Sequence, residues 1–378
     1  MSFISNVWTM GVEEEYQIID PSTQALAADA ERLLSSVESP LATGIRVQPE
    51  MHSSQVEIAT PICYNLAEIR SALIHARQLV INTAAQFNRQ IAAMGTHPFS
   101  HWKDQSITVN ERYQKIEQRY QQLTYEQTIS GCHVHIGCAD REIALQIINR
   151  ARLWIAPLLA LSANSPFWLQ NDTGYDSFRT EIWWRWPMAG PPPHISSLAE
   201  YDSLLQLLVK TDSITDSSHL YWDVRLSEHF PTIEFRVADV CMTVDEAIMI
   251  TGLIRALVQT CYEQVVQKQP YLNASRDLLR SAHWRAARYG LSAHLVDVQA
   301  ERLVPASQLI TRMLAFLRPA LESSGEWDEV STLVNTTLLH GNAATRQRTI
   351  YRSTGSYEAV VNFIVTETAR GTAVTTTA

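Results

Sequence analysis

Several segments of this chain alternate, residue by residue, between an apolar face and a face of carboxylates, imidazoles and guanidiniums. Successive side chains of a β-strand point to opposite sides, so a period of two assigns each residue to a face. Over residues 7–19, Trp8, Met10, Val12, Tyr16 and Ile18 share one face, and Thr9, Gly11, Glu13, Glu15 and Gln17 share the other. Glu14 falls on the apolar side and breaks the pattern. Over 53–60, Val56 and Ile58 oppose Gln55 and Glu57; over 130–137, Cys132, Val134 and Ile136 oppose His133 and His135. Over 221–226, Trp222, Val224 and Leu226 oppose Asp223 and Arg225; over 232–239, Ile233, Phe235 and Val237 oppose Glu234 and Arg236. The expected architecture is α+β: an antiparallel or mixed sheet with helices packed on its apolar face.

The helices read from capping and periodicity. Asn65 with Glu68 starts a helix expected to run over 66–94 and end at Gly95. Asp140 caps a helix toward Asn164, bent near Pro157. Thr243 with Glu246 forms a capping box for a helix to about Gln267, and another helix spans 306–322 with a possible kink at Pro319. Pro191, Pro192 and Pro193 mark a rigid loop. No linker divides the chain, so residues 1–370 are expected to form one domain, with a fraying Thr/Ala-rich tail over 371–378.

Composition narrows the function. The chain has 378 residues, with 30 Lys+Arg against 39 Asp+Glu and a net charge of −9. That acidity speaks against nucleic-acid binding, which needs a basic face. The first residues lack the basic and apolar regions of a secretory leader, and no run reaches the length of a membrane span. The odd number of widely spaced cysteines, without a CxxC pair, argues against a disulfide framework or structural zinc. A cytoplasmic protein without membrane contact is expected, with a homodimer as its assembly.

The polar strand face can be a solvated surface or a site. Lysine is absent from these strands, and carboxylates gathered on one wall repel one another unless a cation lies between them. Glu13 and Glu15 can point into one cavity, or can be two exposed glutamates. His133 and His135 form an H-x-H pair that can bind a transition metal, or one of them can be structural. Glu234 and Arg236 can form a plain ion pair, and Arg225 beside them suits a phosphate clamp. Oxygen-rich ligands with few sulfurs favour magnesium or manganese, and magnesium with arginines suggests a nucleotide. Neither a Walker phosphate loop nor a Rossmann glycine fingerprint is present. A metallohydrolase or oxygenase built on the two histidines and a non-catalytic nucleotide- or acid-binding protein are the other readings.

Eight stretches then carry a resemblance: Gly11-Val-Glu-Glu-Glu-Tyr16, Ser54-Gln-Val-Glu-Ile-Ala-Thr-Pro61, Gly131-Cys-His-Val-His-Ile-Gly137, Leu161-Ser-Ala-Asn-Ser-Pro-Phe-Trp168, Tyr221-Trp-Asp-Val-Arg225, Thr232-Ile-Glu-Phe-Arg-Val237, Ala287-Arg-Tyr-Gly290 and Gly341-Asn-Ala-Ala-Thr-Arg-Gln-Arg348. In this order the chain resembles the type 2 glutamate–cysteine ligase family, in its YbdK-like carboxylate–amine ligase branch. The resemblance implies a glutamine synthetase-like fold, a curved sheet that binds Mg²⁺ (or Mn²⁺) and ATP. It implies amide-bond formation, of γ-glutamyl type, between a small carboxylate and an amine through an acyl phosphate. Carried over position by position, Glu13, Glu15, Glu50, Glu57 and Glu234 correspond to metal-binding carboxylates. Glu57 and Arg236 take catalytic roles, Arg236 on the transferred phosphoryl group. His133 lies near metal or phosphate, and His135 is taken as structural. Arg225, Arg346 and Arg348 are further nucleotide-binding candidates, the last two in a segment, 341–348, that reads as a mobile lid or as an ordinary basic surface loop. The tryptophans around Trp183–Trp186 are read mainly as core, with a pocket wall or an oligomer contact as alternatives.

Overall fold

The fold is built on a mainly antiparallel sheet, seen here in a computed structural model that describes residues 8–37 and 41–372. Its strands are β1 (Met10–Ile19), β2 (Arg46–Pro49), β3 (Gln55–Ala59), β4 (Gln90–Ala92), β5 (Gly131–Gly137), β6 (Val224–Leu226) and β7 (Thr232–Asp239). The order across the sheet is β2-β3-β1-β5-β7-β6, every neighbour is antiparallel, and β4 adds to the end of β1. The apolar face read from alternation packs against the Leu66–Gln86 and Val244–Val266 helices. Val12, Val56, Ile58, Val134, Ile136, Ile233 and Phe235 are all buried in one core cluster there. The α+β expectation therefore holds. The tail expectation falls outside the described residues from position 373 on, as do residues 1–7 of the leader reading.

Helix starts follow the caps. The Asn65 side chain accepts from the Glu68 N–H at 2.9 Å, Asp140 accepts from Glu142 and Ile143, and Thr243 with Glu246 closes a capping box. Helix ends follow less well. The helix from Leu66 stops at Gln86, not at 94. Asn88 adopts a left-handed φ of 53°, and the Arg89 N–H returns to the Ala84 carbonyl at 2.9 Å, a C-terminal cap that releases the chain into β4. The helix after Asp140 breaks at Arg152–Trp154 and resumes at Ile155, so that Pro157 lies in a first turn where its missing N–H costs little. This stretch, Arg141–Ser162, is long and apolar enough to cross a membrane, but 89% of its apolar window is buried within the protein. The Ala306–Ser323 helix runs through Pro319.

Glu14 explains its own irregularity. Its side chain and that of Arg77 are both 0% exposed. Arg77 Nη2 and Nε meet the two Glu14 oxygens at 2.6 and 3.0 Å. The remaining guanidinium donors reach the carbonyls of Cys241 and Met242 at 2.8 and 3.0 Å, and the Tyr16 hydroxyl donates to Glu14. A buried carboxylate is tolerated only with such complete pairing. Removing one partner leaves an uncompensated buried charge, so Arg77→Met is expected to cost about 3–5 kcal/mol in urea unfolding. Adding Glu14→Leu should recover a large part of that loss. A single variant as stable as the wild type would contradict the assignment.

Candidate active site

The polar face of the sheet is the floor of a cavity of about 420 Å³. Strand register decides which side chains meet on it. Glu57 of β3 pairs with Gln48 of β2 on one side and with Glu15 of β1 on the other. Glu13 pairs with His133 of β5, His135 with Glu234 of β7, and Glu234 with Arg225 of β6. Residues far apart in sequence thus line one wall. Against Cys132 and Val134 of β5 stand Ala238 and Phe235, so β7 carries an extra residue at Arg236–Val237. Such a bulge re-aims side chains beside active sites.

Glu15, Glu50 and Glu57 offer carboxylate oxygens that all lie within 4.8 Å of one another. Burial, and then the charge of Glu50, push the Glu15 carboxyl up to about 8, against the opposing pull of Arg179 and of the Gly131 N–H, which donates to Glu15 at 2.6 Å. Burial and the neighbouring carboxylates Glu13, Glu50 and Glu15 raise Glu57 well above its usual range, although Gln48 donates to it at 2.9 Å. Both shifts have the same cause, carboxylates buried side by side. All-oxygen donors without thiolate suit a hard divalent ion, magnesium or manganese. The residues present therefore fit the metal that the resemblance implies.

Glu13 behaves differently. Burial raises it, but contacts with His133 (3.3 Å) and His135 (3.6 Å) outweigh burial and hold it ionised. Burial and then the charge of Arg236 depress His133 to about 4, so it is neutral at pH 7. His135 places Nδ1 at 2.9 Å from the Thr232 hydroxyl, and its Nε2 is buried without a hydrogen-bond partner. Glu234 is also buried, yet Arg225 and Arg236 keep it well below the usual carboxylate range.

The two arginines on Glu234 are not equivalent. Arg225 spends Nε and Nη2 on Glu234 at 2.8 and 3.3 Å, and Nη1 on the carbonyls of Ser218 and Leu220. It braces Glu234 and has little left for a phosphate, which corrects the clamp expectation. Arg236 contacts Glu234 through Nη1, but its buried Nε has no partner. Its guanidinium lies 5.1 Å from the Trp183 ring centre, and Arg179 lies 5.7 Å from the same ring.

Other expectations are corrected here. Asp223 lies outside β6 and does not line the cavity; its carboxylate meets His283 Nδ1 at 2.9 Å and the Trp184 N–H at 3.4 Å. Arg346 and Arg348 sit on the regular Ala343–Thr354 helix, not on a loop. Arg346 pairs with Glu246 and Glu367, and Arg348 with Asp172 and Asp176, so neither lines the cavity. Conversely, Arg46, Gln48, Arg112, Tyr113 and Arg179 line it without having been singled out from the sequence. Arg179 alone had a signal, standing shortly before the tryptophan-rich run.

The polar face of the sheet thus carries an acidic, arginine-edged cavity. The glutamate–cysteine ligase of Francisella tularensis, solved with AMP, shares the fold at a TM-score of 0.69 with 12% identity, over 96% of this chain and 89% of that one. A bifunctional glutathione synthetase from Pasteurella multocida matches at 0.66 with 16% identity, over 96% of this chain, which spans about half (51%) of that protein. The ligase PafA, solved with the ubiquitin-like protein Pup, matches at 0.54 with 12% identity, over 92% of this chain and 68% of that one. These neighbours establish the α+β, glutamine synthetase-like fold. The chain belongs to glutamate–cysteine ligase family 2, whose profile matches residues 9–362. A "Putative glutamate–cysteine ligase 2" of Rhodopirellula baltica is 40% identical over 97% of this chain and 98% of its own length. A second relative of that printed name, from Solibacter usitatus, is 37% identical over 98% and 97%.

The carboxylate set yields a direct prediction. Glu15→Gln and Glu57→Gln should each weaken Mn²⁺ binding about tenfold or more, read by electron paramagnetic resonance of free Mn²⁺. Because burial and the charge of Glu50 push the Glu15 carboxyl up to about 8, and it must lose its proton to bind, the wild-type affinity should rise as pH climbs toward that value. Unchanged affinity in both variants would refute the site.

Proposed function

We propose that the protein is an ATP-dependent carboxylate–amine ligase that forms a γ-glutamyl-type amide through an acyl phosphate and releases ADP and phosphate. The observation that carries this reading is the Glu15–Glu50–Glu57 set on the same wall as Arg236, whose Nε is unpartnered. Carboxylates for a divalent ion beside an arginine with a free donor suit phosphoryl transfer from a triphosphate. The AMP held by the Francisella ligase supports nucleotide use on this fold.

In the first step an oxygen of the substrate carboxylate attacks the γ-phosphorus, and the bond to the bridging oxygen of ADP breaks. In the second, the amine nitrogen attacks the acyl carbon, phosphate leaves, and the nitrogen loses a proton. Arg236 donates to the phosphoryl oxygens as negative charge builds on them. Glu57, with Glu15, Glu50 and Glu13, shapes the charge of the floor, and Glu234 holds the Arg236 guanidinium in place. His133 is neutral at pH 7 and directs its one N–H to Glu13, which orients that carboxylate. Magnesium, with manganese as an alternative, would be held by Glu15, Glu50 and Glu57 and would neutralise triphosphate charge. Residues 1–370 are read as one catalytic domain. The five free cysteines suit a reducing compartment, so we place the protein in the cytoplasm as a homodimer acting on small molecules.

A hydrolase or oxygenase built on His133 and His135 has less support, because both imidazoles are turned to Glu13 while the clustered donors are all oxygen. The test is ADP release from Mg-ATP with glutamate and a panel of amines. Release that depends on both substrates is expected, and Arg236→Ala should lower kcat about 10²–10³-fold. ATP-independent turnover, or no ADP with any pair of acid and amine, would overturn the reading.

A further inference from the structure

The cavity has a second lining, apolar where the floor is charged. Met51, Tyr113, Ile116, Trp183, Trp186 and Tyr221 all face it. They belong to a hydrophobic cluster of their own, separate from the core behind the sheet. The aromatic rings pack edgewise and tilted, Trp183 on Tyr221 at 5.2 Å and Trp186 on Tyr221 at 5.4 Å.

Two of the polar tips in this lining are already committed. The Tyr113 hydroxyl donates to the Pro49 carbonyl at 3.1 Å, and the Trp183 N–H donates to the Tyr221 carbonyl at 3.2 Å. What Met51, Ile116, Tyr113 and Trp183 offer a ligand is therefore hydrocarbon and ring surface. The lining also adjoins the charged floor. Trp183 stacks near Arg236 and Arg179, and Tyr113 lies close enough to the carboxylates that burial and the charge of Glu50 together raise its phenol. Arg112 flanks Tyr113 at 5.7 Å from its ring centre. An occupant would place an apolar body on the rings and an anionic group toward an arginine.

We propose that this lining binds the apolar body of one of the two substrates, so that the enzyme joins an amino acid or related acid with an aromatic or large aliphatic side chain. The inference rests on the ligase reading and names the substrate class of that same site. The acid and the amine are the two possible sources of the apolar body, and the assay separates them.

The experiment has two arms, ADP release with glutamate fixed and the amine varied from serine and cysteine to leucine, phenylalanine and tryptophan, and the converse with the acid varied. The best pair should contain a large apolar member. Ile116→Ala should raise the KM for that member about tenfold, the scale of discrimination in a hydrophobic pocket. Ile116→Phe should shift the preference toward smaller partners, and in both variants the KM for ATP should hold steady. A best pair of glutamate with cysteine or serine would overturn the proposal. So would a change confined to the KM for ATP, which would mean that adenine covers the rings. If no pair releases ADP, the ligase reading itself fails, and thermal-shift titration with phenylalanine and leucine still decides the pocket. Stabilisation that Ile116→Ala abolishes would support it, and no stabilisation would overturn it.

Discussion

Three consecutive glutamates on the central strand set the terms for everything else. Glu13 and Glu15 face the cavity, and Glu14 faces the core, where Arg77 holds it. A slip of one residue in β1 would turn two carboxylates into the core and take Glu14 away from Arg77. The Glu14–Arg77 pair therefore opposes any register except the one that builds the site. It also ties β1 to the Leu66–Gln86 helix and to the carbonyls just after β7, so the same guanidinium joins both sides of the sheet's apolar face.

On the cavity side the charges are divided into two halves. Around Glu13 and Glu234 the carboxylates are paired with histidines and arginines and stay ionised. Around Glu15 and Glu57 burial and mutual repulsion outweigh the donors present, and both groups are raised. One half is neutralised by the protein, and the other carries the three carboxylates proposed to take a divalent cation. The net charge of −9 thus includes carboxylates that line a cavity and are not solubilising surface.

Much of this was legible from a period of two. Each central strand shows its faces because one side must be apolar and the other is crowded with charge. What alternation could not supply is contact across the chain. Arg77 sits on a helix, and no spacing rule links it to Glu14. Asp223 shares the parity of Arg225, but the strand begins only at Val224, and His283 draws the carboxylate away. Arg225 and Arg236 look alike in sequence and differ only in how many donors the surrounding carbonyls consume. Arg346 and Arg348 looked like nucleotide ligands because they stand in a motif that marks the family. The fold uses them to fasten a helix to Glu246, Glu367, Asp172 and Asp176. β4 was hidden inside an apolar run whose helical period continued past the Asn88 cap.

The proposed reaction activates a substrate carboxylate by transferring a phosphoryl group from ATP onto it above the sheet floor. The most direct test labels both oxygens of the acid substrate with ¹⁸O and analyses the released phosphate by mass spectrometry after one turnover with Mg-ATP and an amine. An acyl-phosphate route carries one carboxylate oxygen into phosphate, so the product should contain one ¹⁸O per molecule. Phosphate free of label would mean that the carboxylate never attacked phosphorus, and the account of the site would be wrong.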